Sequence, residues 1–75
     1  MNLSKFPGAL VNLKMMRIKQ GLSQKDVADN IFISATSYNS KENGKAPFSQ
    51  WEVDDLLDFF DVEYREIFPL PGSNE

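Results

Sequence analysis

The 75-residue sequence contains neither cysteine nor histidine. Without cysteine there are no disulfides and no thiolate nucleophile; without histidine as well, Ser-His catalysis and the ordinary zinc and haem sites are excluded. Short domains often depend on such supports, so the one left open is a partner subunit. No apolar run approaches the roughly 18 residues that cross a bilayer. The opening MNLSKFPGAL lacks the basic start, long apolar stretch and small-residue cleavage site of a secretion signal. A cytoplasmic protein is therefore expected, and the lack of cysteine agrees with a reducing compartment. No repeat, linker or low-complexity segment divides the chain, which reads as a single domain over 1–75. With 41% apolar and 25% charged residues its composition is that of a folded globular chain.

The net charge of -3 conceals a polarity along the chain. Residues 1–45 carry seven Lys/Arg against three acids, a net of +4, whereas residues 46–75 carry only Arg65 against eight acids, a net of -7. Such a division fits a basic part facing a polyanion and an acidic part turned away from it, or simply two solvated surfaces of different sign.

Apolar spacing predicts an all-α chain of five helices. From Pro7 to Gln20 the residues Leu10, Leu13 and Met16, with Met15 a further candidate, recur at three- and four-residue steps, and Gly21 follows the last of them. Ser23 and Asp26 form a capping pattern ahead of Val27, Ala28 and Ile31. Ser34 caps a third helix, Ala35 to Glu42, that places Tyr38 and Glu42 on one face and stops at Asn43-Gly44. Ser49 and Glu52 make a full capping box before Val53, Leu56, Leu57 and Phe60. A last turn, Glu63 to Phe68, is cut by Pro69, and the tail 69–75 is expected to be flexible.

The second and third helices are separated only by Phe32, Ile33 and Ser34, the outline of a helix-turn-helix. LKMMRIKQGLSQKDVADNIFISATSYNSKENGK, residues 13–45, resembles the lambda-repressor-like family of Cro-type (xenobiotic-response-element) regulators. FSQWEVDDLLDFFDVEYREIF, residues 48–68, looks like the fourth and fifth helices of that family. The stretch TSYNSKENGKAPF is most similar to small regulators of phages and mobile elements of Gram-positive bacteria.

The resemblance implies a five-helix DNA-binding domain, helix-turn-helix over about 10–68, that binds double-stranded DNA as a weak homodimer. Its main reading positions fall on Ala35, Thr36 and Ser40, and on a helical wheel referred to Tyr38 the side chains of Thr36, Ser37, Asn39 and Ser40 look outward. Asn39 suits adenine, Thr36 a thymine methyl, and Ser40 either kind of base. All are short, so modest direct readout is expected, with more reliance on dimer geometry and DNA shape. Gln24, with the free N–H groups of its helix N-terminus, matches a phosphate-binding position, the alternative being a cap. Asn43 and Lys45 match further phosphate positions, and Lys25 adds attraction, although Asn before Gly also serves turns. Arg17 and Glu42 match the family's Arg–Glu pair, expected here as a structural ion pair between the first and third helices. Three departures stand out: Phe32 and Asp61 replace turn glycines, and Lys41 replaces an apolar residue whose place its stem can fill with the ammonium outside.

Beyond the expected core, Trp51, Phe59, Tyr64 and Leu70 are left as a candidate dimer face near the C-terminal helices, or as cover for the core's edge. No motif calls for a cofactor, metal or small-molecule ligand. The carboxylates Asp54, Asp55 and Asp58 lack a second acid–base group, so they read as a solvated face and no enzyme is expected. The leading function is a DNA-binding repressor; the alternative is a helix-turn-helix module that binds a protein partner through its acidic half.

Overall fold

The computed structural model describes residues 10–68, which form α1 (Val11–Lys19), α2 (Gln24–Asn30), α3 (Ala35–Glu42), α4 (Gln50–Phe60) and α5 (Tyr64–Ile67). No strand occurs among the described residues, and none of their helices is long and apolar enough to cross a membrane. The architecture is the expected all-α, five-helix one. The tail 69–75, including Leu70, lies outside the described residues, as does Pro7.

Serine hydroxyls set three of the helix starts. Ser23 Oγ accepts from Asp26 N at 3.0 Å while the Asp26 carboxylate accepts from Ser23 N at 2.8 Å. Ser49 and Glu52 repeat the arrangement, and Ser34 Oγ accepts from Ser37 N at 3.0 Å. Each satisfies N–H groups that a first helical turn otherwise leaves unpaired. α1 begins later than the apolar spacing predicts. Leu10, at φ -93° and ψ 79°, is the N-cap, and its N–H donates to the Glu42 carbonyl at 2.9 Å, tying the start of α1 to the end of α3.

The core follows the apolar faces read from the sequence, with Phe48 added to them. Leu13, Val27, Ala28, Tyr38 and Leu56 are wholly buried, with Ile31, Val53, Phe60, Ile67 and Phe68 closing round them. Leu10 and Phe48 also pack against it. Phe48 bridges Tyr38 and Phe68, with ring centroids 5.9 and 6.2 Å away. Met15, a candidate for the inner face of α1, instead points to solvent at 62% exposure.

Backbone of positive φ closes four of the turns. Gly21 (φ 73°) and Gly44 (φ 79°) follow α1 and α3, where a side chain would be strained. Asp61 (φ 57°) and Phe32 (φ 64°) take the same conformation without being glycine. The turn between α2 and α3 has therefore not shifted to accommodate Phe32; the bulky residue adopts the strained geometry and its ring projects outward, 84% exposed.

Candidate nucleic-acid interface

A buried polar cluster fixes α3 against α1. Glu42, only 2% exposed, receives Arg17 Nε at 2.9 Å and Arg17 Nη2 at 3.2 Å, the Tyr38 hydroxyl at 2.6 Å and Gln24 Nε2 at 3.0 Å. Arg17 Nη1 also donates to the Leu22 carbonyl at 2.9 Å, so one guanidinium joins α1, the following loop and α3. Every buried side-chain nitrogen and oxygen among the described residues is hydrogen-bonded. Burial alone would raise the Glu42 carboxyl, but the hydrogen bonds from Arg17, Tyr38 and Gln24 outweigh it and hold the carboxyl below its ordinary value. The same bond to Glu42 raises Arg17, and burial followed by the bond to Glu42 raises Tyr38.

Gln24 extends this cluster to the surface. While its Nε2 donates to Glu42, its Oε1 accepts from Asn39 Nδ2 at 3.0 Å. The amide expected to meet a phosphate is thus oriented by Glu42 and Asn39, one bond at each end, and keeps its second Nε2 proton beside the free N–H groups of the α2 N-terminus. Asn39 keeps its carbonyl oxygen and one N–H, the pair that adenine recognition requires. Ala35, Thr36 and Asn39 are exposed, whereas Ser37 and Ser40 are half-buried at the margins, so the outward face is narrower than the wheel suggests. It is uncharged throughout.

The candidate phosphate residues lie on α2 and in the loop after α3. Lys45 and Asn43 are exposed in the loop after α3. The positive φ of the Asn-Gly pair falls on Gly44, while Asn43 has φ -84°, so the exposed Asn43 side chain carries no turn duty. Lys25 lies on the outer side of α2, 3.1 Å from Asp29, with both side chains well solvated. Such an exposed pair holds its partners weakly and leaves the ammonium available for exchange.

Residues 11–67 match the model of the helix-turn-helix domain family. The chain belongs to that family. It is a DNA-binding regulator of the Cro type, with α2 and α3 as the helix-turn-helix. Among solved structures it is similar to the restriction-modification controller protein C.AhdI from Aeromonas hydrophila, at 25% identity and a TM-score of 0.73 over 87% of this chain and 98% of that one. No curated protein matches the sequence significantly.

Two further features of this helix-turn-helix protein bear on how the interface is carried. Lys41 lays its stem on the core as expected, but its ammonium is not left outside: it pairs with Glu52 at 2.6 Å, both side chains largely covered, 6.0 Å from the centre of the Phe48 ring. Glu52 also accepts from Ser49 N, so one carboxylate caps α4 and anchors α3. Burial opposes its charge, but the bonds from Lys41 and Ser49 hold it below the ordinary value. Sequence reasoning missed this pair, although Glu52 was legible as a cap.

Of the candidate dimer residues, Trp51 is 80% exposed and Tyr64 48% exposed, the latter stacked on Phe68 at 4.7 Å. Phe59 is half-buried, edge-on to Phe60 at 4.9 Å, and covers the core's edge rather than adding to a free patch. A second apolar stripe, Val11, Met15 and Ile18, runs along the exposed face of α1. Its i, i+4, i+7 spacing was visible in the sequence, but periodicity alone does not say which of two apolar faces turns inward.

Proposed function

We propose that the protein represses transcription by binding a pseudo-palindromic operator as a homodimer, each α3 entering a major groove and the pair occluding a promoter. The observation that carries this reading is the uncharged outer face of α3, Ala35, Thr36 and Asn39, with Ser40 at its margin and Asn39 held by Gln24 on a buried ion pair. A rigidly mounted row of neutral hydrogen-bonding groups and a methyl suits base edges. Lys25, Asn43, Lys45 and the N-terminus of α2 supply the phosphate contacts on either side, with Gln24 acting from within as the residue that orients Asn39. Likeness to a restriction-modification controller protein supports control of expression as the outcome. We assign it to the cytoplasmic regulators that phages and mobile elements carry, on the strength of the α3–α4 sequence. Trp51 and Tyr64 are the proposed dimer contacts.

Selection from a random pool of duplexes, followed by binding measured against salt, tests the proposal. Two lysines per protomer predict a slope of log K against log salt of about -4 for a dimer. A salt-insensitive complex, or no enrichment at all, would instead favour the second reading, a protein-binding module using the segment 46–75 with its net charge of -7.

A further inference from the structure

Three properties single out Phe32, which stands where its turn requires only a left-handed backbone. Its backbone sits at φ 64°, a conformation that disfavours every residue with a bulky Cβ substituent. Its ring is 84% exposed, the largest exposure among the large apolar side chains of the described residues, so it gains almost nothing from burial. It also stands two residues before Ser34, the N-cap of α3, and is thus within about 7 Å of chain from the end of the helix that enters the groove. A residue that costs the fold twice, through strain and through exposed apolar surface, is a candidate for a role outside the fold.

The outer face of α3 supplies the complementary observation. Ala35, Thr36, Ser37, Asn39 and Ser40 are all short, so the helix carries no long side chain toward the groove and no apolar group there larger than the methyls of Ala35 and Thr36. Ile33, between Phe32 and the cap, packs on the core and anchors the turn. The backbone there is further pinned by Ile33 N donating to Ala28 O at 3.1 Å, so the Phe32 ring is presented from a fixed base. The large apolar reach missing from the helix is provided one turn upstream.

Resting on the DNA-binding reading above, we propose that Phe32 is a specificity-determining residue whose ring packs against the C5-methyl of a thymine at the outer edge of each half-site. Phenylalanine against a thymine methyl is an established form of major-groove recognition. The contact would add sequence preference at a base pair beyond the reach of Thr36 and Asn39.

The test uses a duplex selected from a random pool by the parent protein. Each thymine of one half-site is replaced in turn by deoxyuridine, which lacks only the methyl, and binding is compared for the parent, Phe32→Leu, Phe32→Ala and Phe32→Gly. One substitution at the half-site's outer edge should weaken the parent about fourfold, the worth of one buried methyl, and leave Phe32→Ala and Phe32→Gly unaffected. Phe32→Leu should retain part of the effect. Phe32→Gly should melt higher than the parent, so that its weaker binding cannot be blamed on unfolding. If the parent binds selected DNA but Phe32→Gly binds equally well, or the same deoxyuridine penalty persists in Phe32→Ala, the thymine contact is refuted while the DNA-binding reading stands. If the parent selects no duplex, both fall.

Discussion

Replacing Glu42 by alanine removes the acceptor of four hydrogen bonds at once, from Arg17 Nε and Nη2, the Tyr38 hydroxyl and Gln24. Arg17 is 8% exposed, so its guanidinium would keep only the Leu22 carbonyl as partner while remaining largely out of water. Stranding one member of a buried pair costs about 3 to 5 kcal/mol. A chain of 75 residues has on the order of 4 to 11 kcal/mol of stability in total, so the variant should be close to unfolding at room temperature. At roughly 4 to 8 °C per kcal/mol, its melting temperature should fall by at least about 12 °C, read by far-ultraviolet circular dichroism and by urea titration. The double variant Arg17→Met/Glu42→Leu separates pairing from packing. Because it leaves no unpaired charge, it should be markedly more stable than the sum of its single changes implies. A melting curve for Glu42→Ala within 3 °C of the parent's, a threshold of about 0.5 kcal/mol, would refute the claim that this cluster holds α3 in place.

Acid should expose the same carboxylates. Glu42, Glu52 and Asp26 lie below their ordinary values when folded, so their stabilisation is complete above about pH 4.5 and is lost as the pH falls through the depressed values. Stability should therefore be flat with respect to these groups from pH 7 to about 5 and drop below that, with Glu52→Gln reducing the steepness of the acid limb; a limb unchanged in that variant would remove Glu52 from the account. Ser34→Ala should destabilise the protein by about 1 kcal/mol and fray the first turn of α3, seen as faster amide exchange at Ser37. Gln24→Ala, which frees Asn39, should weaken binding most at one adenine, the base proposed for Asn39; a uniform loss across all operator positions would argue for a direct phosphate role instead. Sedimentation at tens of micromolar should show a weak dimer that Trp51→Ala disrupts without lowering the melting temperature, and a monomer with and without operator DNA would end the dimer proposal.

Local chemistry in the sequence determined the helices, their serine caps and most of the core, because a capping hydroxyl or an i, i+4 apolar pair acts between neighbours along the chain. The Arg17–Glu42 pair was legible for a different reason: it matches the Arg–Glu pair of the family that the sequence resembles, and the wheel put Glu42 beside Tyr38 on the inward side. What the tertiary structure decided was the other pairings of groups remote along the chain. Gln24 met Glu42 and Asn39 as well as the surface, Lys41 found Glu52, and the Leu10 N–H bonded the Glu42 carbonyl. It also decided that Phe32 keeps the turn in a left-handed conformation and that α1 turns its Val11–Met15–Ile18 stripe outward. A linear pattern records which side chains share a face; which face is covered, and which hydrogen-bonding ends are already taken, depends on the order in which helices are stacked in space.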